Sequence, residues 1–221
     1  MSEPVFLYLH GFASSPMSNK ARAFQGWATL RGLSLVALDL RVPSLEKLLF
    51  SAIMERVIAE IDAHGGPRSR VALIGSSLGG LAACRVAEVD PRVFAVFAMA
   101  PAFRLARRWE ARFGREAWAR EVDDYATGTK RFVHYRFVEE LMELDASLGE
   151  LPDVRVPTRI VHGLRDEVVD IESSREWARG KPLILLREVD DAHELTASVP
   201  LILDEADDFF GLPPKLARRA P

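Results

Sequence analysis

Val71-Ala-Leu-Ile-Gly-Ser-Ser-Leu-Gly-Gly80 is the stretch that decides how the rest of the chain is read. Val71 to Ile74 is an apolar, partly β-branched run, as a strand buried on both faces should be. Leu81-Ala-Ala-Cys-Arg-Val-Ala87 then switches to helix-forming residues. Between them, Gly75-Ser76-Ser77-Leu78-Gly79 matches G-x-S-x-G, in which a serine is held on a strained strand-to-helix turn with its hydroxyl clear of the sheet. Glycines two residues either side of Ser77 suit a place where neighbouring backbone leaves no room for a Cβ. The helix that follows offers unpaired N–H groups that favour a developing anion. Ser77 is therefore the candidate nucleophile and the Leu78 N–H the first candidate oxyanion donor. Two other glycine-rich readings fail: no Lys follows Gly79 or Gly80, as a phosphate-binding loop needs, and the spacing does not fit G-x-G-x-x-G.

Upstream, Val5-Phe-Leu-Tyr-Leu9 reads as a buried strand ending in His10-Gly11-Phe12. A loop at that end of a strand is where open α/β sheets place ligands, and Gly11 lets the backbone turn the Phe12 N–H toward the site as a second oxyanion donor. His10 is read as a structural residue that hydrogen-bonds this loop. A helix over about 18–30 carries Ala21, Phe24, Trp27 and Ala28 at helical spacing, and a second strand spans 33–38. Ser44 is expected to cap a long helix with Leu45, Leu48, Leu49, Ala52, Ile53, Val57 and Ile61 at threes and fours, stopped by His64-Gly-Gly-Pro67. Asp90-Pro91 turns the chain into the strand 93–99. Helices alternating with such strands predict a parallel sheet with right-handed crossovers.

That rhythm breaks between Ala102 and about Leu151. The span holds nine Lys/Arg against ten Asp/Glu, with Phe103, Trp109, Phe113, Trp118, Tyr125, Phe132, Tyr135 and Phe137 among them, and no clear strand. It reads as a helical cap insertion, 102–151, over the C-terminal edge of a core formed by 1–101 and 152–211. His134, within it, is read as structural. The sheet resumes at Thr158-Arg-Ile-Val-His162, followed by the loop Gly163-Leu-Arg-Asp166, a helix 171–178 capped by Asp170, a strand 183–189, the loop Asp190-Asp-Ala-His193 and a last helix 194–210. Pro200 gives that last helix a late beginning or a kink. Residues 212–221 form an expected disordered tail.

A length of 221 residues with 48% hydrophobic and 28% charged content is enough for one large core. A net charge of -3 and a pI near 6.0 give no basic field for nucleic acid. The lone Cys84 suits a buried position in a reducing compartment. Met1-Ser-Glu-Pro4 has no basic leader and no apolar run reaches membrane-spanning length, so a cytoplasmic chain without membrane partners is expected. His10, His64, His134, His162 and His193 are scattered, which disfavours a metal site, and no cofactor motif occurs.

A serine is too weakly acidic to attack an ester alone and needs a base oriented by a carboxylate. The order Ser77, Asp166, His193 is that of the α/β-hydrolases, and all three fall in loops after successive predicted strands, on one edge of the sheet. Asp170 is placed to cap a helix, while Asp190 and Asp191 are too close in sequence to His193 to orient it easily. Asp166 is therefore the candidate acid. His162 is read as ending its strand and bracing the acid loop.

Tyr8-Leu-His-Gly-Phe-Ala-Ser-Ser-Pro16, Gly75-Ser-Ser-Leu-Gly-Gly80, His162-Gly-Leu-Arg-Asp-Glu-Val168 and Asp191-Ala-His193 together resemble the signatures of the small bacterial α/β-hydrolases of the YqiA/YcfP esterase family, over about residues 4–211. The resemblance implies a reduced α/β-hydrolase fold of about six parallel strands with helices on both faces, lacking the first two antiparallel strands of larger relatives. It also implies a serine esterase or thioesterase acting on a small-molecule substrate, with Phe12 and Leu78 supplying the oxyanion hole. The competing expectations are cofactor-free perhydrolysis or lactone opening on the same triad, and a binding protein that kept the fold without turnover.

Overall fold

The computed structural model describes residues 4–64, 69–118, 121–125 and 127–212. In chain order the elements are β1 (Val5–Leu9), α1 (Asn19–Thr29), β2 (Ser34–Leu38), α2 (Phe50–Ala63), β3 (Val71–Ser76), α3 (Leu78–Val89), β4 (Val93–Met99), α4 (Leu105–Ala117), β5 (Glu121–Asp124), β6 (Thr129–Phe132), α5 (Arg136–Leu148), β7 (Thr158–Gly163), α6 (Glu172–Ala178), β8 (Ile184–Val189) and α7 (Val199–Phe209). Six strands form one parallel sheet in the order β2-β1-β3-β4-β7-β8. The chain leaves β1 toward one edge and returns to its other side at β3. This reversal opens the crevice at the C-terminal ends of β1 and β3, where ligands collect in such sheets.

Both faces of the sheet are buried, which explains strands that read as continuous apolar runs. Leu7 and Leu9 of β1 face a core shared with Ile53, Val57 and Ile61 of α2, most of α3, and Phe137 and Leu141 of α5. The alternate residues Phe6 and Tyr8 join Phe24 and Trp27 of α1, Phe97 and Met99 of β4, and Ile202 and Ala206 of α7 on the opposite side. The Trp27 indole N–H donates to Asp207 at 2.7 Å, and Arg31 pairs with the same carboxylate, so α1 and α7 are pinned together at their polar edge. Cys84 is fully buried, and that burial pushes its thiol up to about 12.

Three features differ from the sequence reading by more than a residue at an element's end. The helix expected to start after Ser44 begins at Phe50. Ser44 instead accepts from the Lys47 N–H at 3.2 Å within a turn, and Glu140 of α5 caps the helix, accepting from the Phe50 N–H at 2.5 Å and the Ser51 hydroxyl at 2.6 Å. A cap supplied from 90 residues away leaves no local sequence signal. Second, 102–151 is not wholly helical: β5 and β6 pair antiparallel, with Gly128 at φ +68° in the turn. Their residues are mostly polar and exposed, so they lack the alternation that marks a half-buried strand. Third, the last helix starts at Val199 with Pro200 in its first turn, the late beginning that a proline favours. The residues Gly65-Gly66-Pro67 of the expected helix stop, and residues 213–221 of the expected tail, lie outside the described residues. No described helix is long and apolar enough to cross a membrane.

The glycines of the β3–α3 turn are required by space. A Cβ on Gly75 would lie 2.3 Å from the Gly79 carbonyl oxygen, and one on Gly79 only 2.1 Å from that of Leu9. Gly79→Ala should therefore cost about 3 kcal/mol or more of folding stability, because backbone and not a movable side chain blocks it. Gly26→Ala, within α1 and with nothing within 4 Å, should instead add up to about 1 kcal/mol. Denaturant unfolding of the two variants checks the contrast; equal effects would mean that the elbow is loosely packed.

Candidate active site

Ser77 stands at φ 54°, ψ -115°, a conformation that an L-residue adopts only when its surroundings force it. The forcing contacts are hydrogen bonds on both sides of the residue. Its N–H donates to Met99 O at 2.9 Å, and its carbonyl accepts from the N–H groups of Leu81 and Ala102, each at 3.0 Å. The elbow is thus tied to the end of β4 as well as to α3.

Asp166 follows the end of β7 by three residues, and His193 lies in the loop after β8. Gly163 brings the two loops together, since a Cβ there would meet Asp191 O at 2.4 Å. Leu164 N–H donates to Val189 O at 2.8 Å and Arg165 N–H to Asp191 O at 3.0 Å, extending the β7–β8 pairing beyond the sheet. Asp191 shapes the second loop by accepting from Ala192 N–H at 2.8 Å and Ser198 N–H at 2.9 Å. Asp190 pairs outward with Arg165 at 3.2 Å. Asp170 accepts from the Glu172 N–H at 2.9 Å in the turn that enters α6, whose N-cap residue is Ile171 and not the expected Asp170.

These loops bring the three predicted side chains into one line. His193 Nδ1 lies 2.7 Å from Asp166 Oδ2, and His193 Nε2 lies 3.1 Å from Ser77 Oγ. The carboxylate can only accept, so Nδ1 carries the proton, and Nε2 turns its lone pair toward the serine hydroxyl. Asp166 is fully buried as a side chain. Burial works against its ionisation, but hydrogen bonds from His162, His193 and the Val169 N–H outweigh it and hold the carboxyl well below the usual carboxylate range.

On the β1 side, His10 Nε2 accepts from the Leu40 N–H at 3.0 Å, so Nδ1 is left to donate to Gly11 O at 2.7 Å. This fixes the loop bearing Phe12. A Cβ on Gly11 would stand 3.5 Å from Ser77 Cβ, which brings this loop alongside the nucleophile. Among the described residues, the Phe12 and Leu78 N–H groups have no acceptor outside the regular elements, as candidate oxyanion donors require. His134 ties its backbone N–H to Glu46 O at 2.8 Å, in keeping with a structural role.

Two cavities meet over this line. One of about 610 Å³ contains Ser77, Leu78 and His193, together with Lys20, whose amine donates to Glu194 O at 2.6 Å. The other, of about 680 Å³, is walled by Phe12, Trp109, Phe113, Trp118, Val122 and Val168, with Arg108, Arg112, Glu121 and Glu167 also on its lining. Phe12, Arg108, Trp109 and Val168 border both. Phe12 packs edge-on against Trp109 with centroids 5.0 Å apart, and Trp109 lies 5.0 Å from Trp118. Not every aromatic residue of 102–151 takes part: Phe132 is exposed on the hairpin, and Tyr135 packs behind Trp118. Arg108 escaped the sequence reading, as did Lys20, because nothing in a single charged residue on an amphipathic helix signals that it faces a cavity. Arg108 donates to Val168 O, and burial disfavours its charge against the opposing pull of Asp166 and Asp170. Among the described residues no group of His, Cys, Asp and Glu side chains is arranged to hold a metal ion.

Comparison with solved structures gives the same fold. Mouse alpha/beta hydrolase domain-containing protein 10 superposes with a TM-score of 0.78 at 22% identity, covering 95% of this chain and 90% of that one. Est1E from Butyrivibrio proteoclasticus, with ferulic acid bound, gives 0.76 at 19%, covering 94% and 88%. The Pyrococcus furiosus esterase Pf2001 gives 0.63 at 18%, covering 95% and 81%. A comparison with curated protein sequences finds no match. The sequence profile of the uncharacterised protein family UPF0227, the YqiA/YcfP type that the motifs resembled, matches residues 5–205, and the chain belongs to that family.

Proposed function

We propose that this protein is a serine hydrolase that cleaves carboxylic esters or thioesters through an acyl-Ser77 intermediate. The observation that carries the reading is the unbroken line from Asp166 through His193 to Ser77, at 2.7 and 3.1 Å. In it, His193 Nε2 takes the Ser77 proton as Oγ attacks the carbonyl carbon. The oxyanion that forms turns toward the Phe12 and Leu78 N–H groups, and the dipole of α3 adds to their pull. The imidazolium then protonates the departing alcohol or thiol, and water repeats the sequence in reverse to release the acid. Asp166 holds the tautomer and balances the imidazolium charge without taking the proton itself. Esterases among the structural neighbours are in keeping with this chemistry.

The aromatic cavity gives the acyl group its place. Each methylene removed from water there contributes about 0.8 kcal/mol, so longer or aromatic acyl groups gain until the cavity is full. The segment 102–151 then acts as a cap that selects substrate and leaves the chemistry to the sheet edge.

Asp166→Asn should lower kcat about 10⁴-fold by leaving His193 in the wrong tautomer. Asp170→Asn should keep turnover and cost at most about 1 kcal/mol of stability, since an Asn side-chain oxygen can accept the same Glu172 N–H. Steady-state kinetics on a short-chain ester decides, and an active Asp166→Asn variant contradicts the triad. Trp109→Ala and Trp118→Ala should each narrow the preference for long over short acyl groups by about tenfold, whereas Phe132→Ala, away from the cavity, should leave it alone. Relative kcat/KM across an acyl-length series measures this, and an unchanged series would move the acyl site elsewhere.

A further inference from the structure

Asp166 has a second imidazole on it. His162, the fifth residue of β7 and fully buried, lies with Nε2 3.2 Å from Asp166 Oδ2 and 3.1 Å from Val169 O. Both neighbours of Nε2 are acceptors, so Nε2 carries the proton. Nδ1, 2.8 Å from Ser174 Oγ, then accepts from that buried hydroxyl. Ser174 belongs to α6, so a continuous chain of hydrogen bonds runs from this helix through His162, Asp166 and His193 to Ser77. The other oxygen of Asp166 is occupied by the Val168 and Val169 N–H groups at 2.9 and 2.7 Å. Oδ2 is therefore shared between the two histidines.

We propose that His162 is a positioning residue of the reaction. Its Nε2–H fixes Oδ2 in the direction of His193 and draws off part of that oxygen's negative charge. An imidazolium formed at 193 then shares its counter-charge with a second donor, and removing that donor would concentrate the charge of Oδ2 on His193. The inference rests on the triad reading above, but the hydrogen-bond sharing at Asp166 holds whether or not the enzyme turns over.

The remaining charges around the pair do not supply this effect. Lys20 reaches His193's loop from α1 through Glu194 O, Asp191 is engaged by backbone N–H groups, and Arg108 approaches from α4 through Val168 O. Glu194 is in the base loop itself, and Asp170 serves its helix. Glu188, opposite His162 on β8, is held by Arg175 at 2.8 Å. Among the described residues, none of these groups hydrogen-bonds Asp166 Oδ2, which His162 and His193 share.

The test compares His162→Asn with His162→Gln. The Asn amide ends near the position of Nδ1 and cannot reach Asp166, whereas the Gln amide can return an N–H to Oδ2. His193 is titrated by NMR in each protein, and the acid limb of kcat/KM is measured alongside. The expected result is an upward displacement of both by roughly half a pH unit or more in His162→Asn, with His162→Gln close to the wild type. If His162→Asn titrates as the wild type does, His162 is only a packing element and the proposal is overturned. A measurement on the wild type alone stands beside this should a variant not fold: the ¹⁵N shifts of His162 should report a protonated Nε2, and a bare Nε2 overturns the proposal directly. Displacement of the His193 titration in a protein that hydrolyses no ester would uphold the positioning and reject the hydrolase reading.

Discussion

At the elbow the backbone of α3 is pressed onto the end of β1, so closely that no side chain fits between Gly79 and the Leu9 carbonyl or between Gly75 and Gly79. This contact holds Ser77 at a positive φ and leaves its hydroxyl standing above the sheet. It also brings the loop bearing Phe12 alongside the start of α3, with a Cβ on Gly11 only 3.5 Å from Ser77 Cβ. The strain at Ser77 is sustained by hydrogen bonds to Met99, Leu81 and Ala102, which belong to or follow β4 and α3. A sheet that changes direction between β1 and β3 is what makes such an approach possible.

The opposite side of the site depends on a different constraint. Gly163 lets the loop after β7 lie against the loop after β8, and the backbone bonds from Leu164 and Arg165 continue the strand pairing to the position of the acid. The separation of Asp166 and His193 is thus set by main-chain geometry and does not depend on flexible side chains. Burial of the Asp166 carboxyl would by itself favour its neutral form. Four donors, two from imidazoles and two from backbone, offset that cost and keep it ionised.

How far this was legible in the sequence differs from part to part. The core strands were readable because each is buried on both faces and therefore continuously apolar, and the three chemical side chains because each follows such a strand. Asp170 was separable from Asp166 by its place at a helix start, and His162 by its place at a strand end. The start of α2 was not readable, since its cap arrives from Glu140 on α5. Nor was the hairpin β5–β6, whose exposed strands carry no period-two signal. The double occupancy of Asp166 Oδ2 depends on the meeting of β7 and the loop before α6, and the aromatic cavity on which face α4 turns toward Phe12. Both are products of packing, which a one-dimensional pattern does not contain.

The central claim is that Ser77 is a nucleophile activated by His193. Its most direct test is brief reaction of the purified protein with a fluorophosphonate, followed by peptide mass spectrometry. The account predicts one equivalent of adduct on Ser77, absent when His193 is replaced by Ala in a protein that still folds. Folded wild-type protein that remains unlabelled at Ser77 would contradict it, and would leave a hydrolase fold used for binding alone.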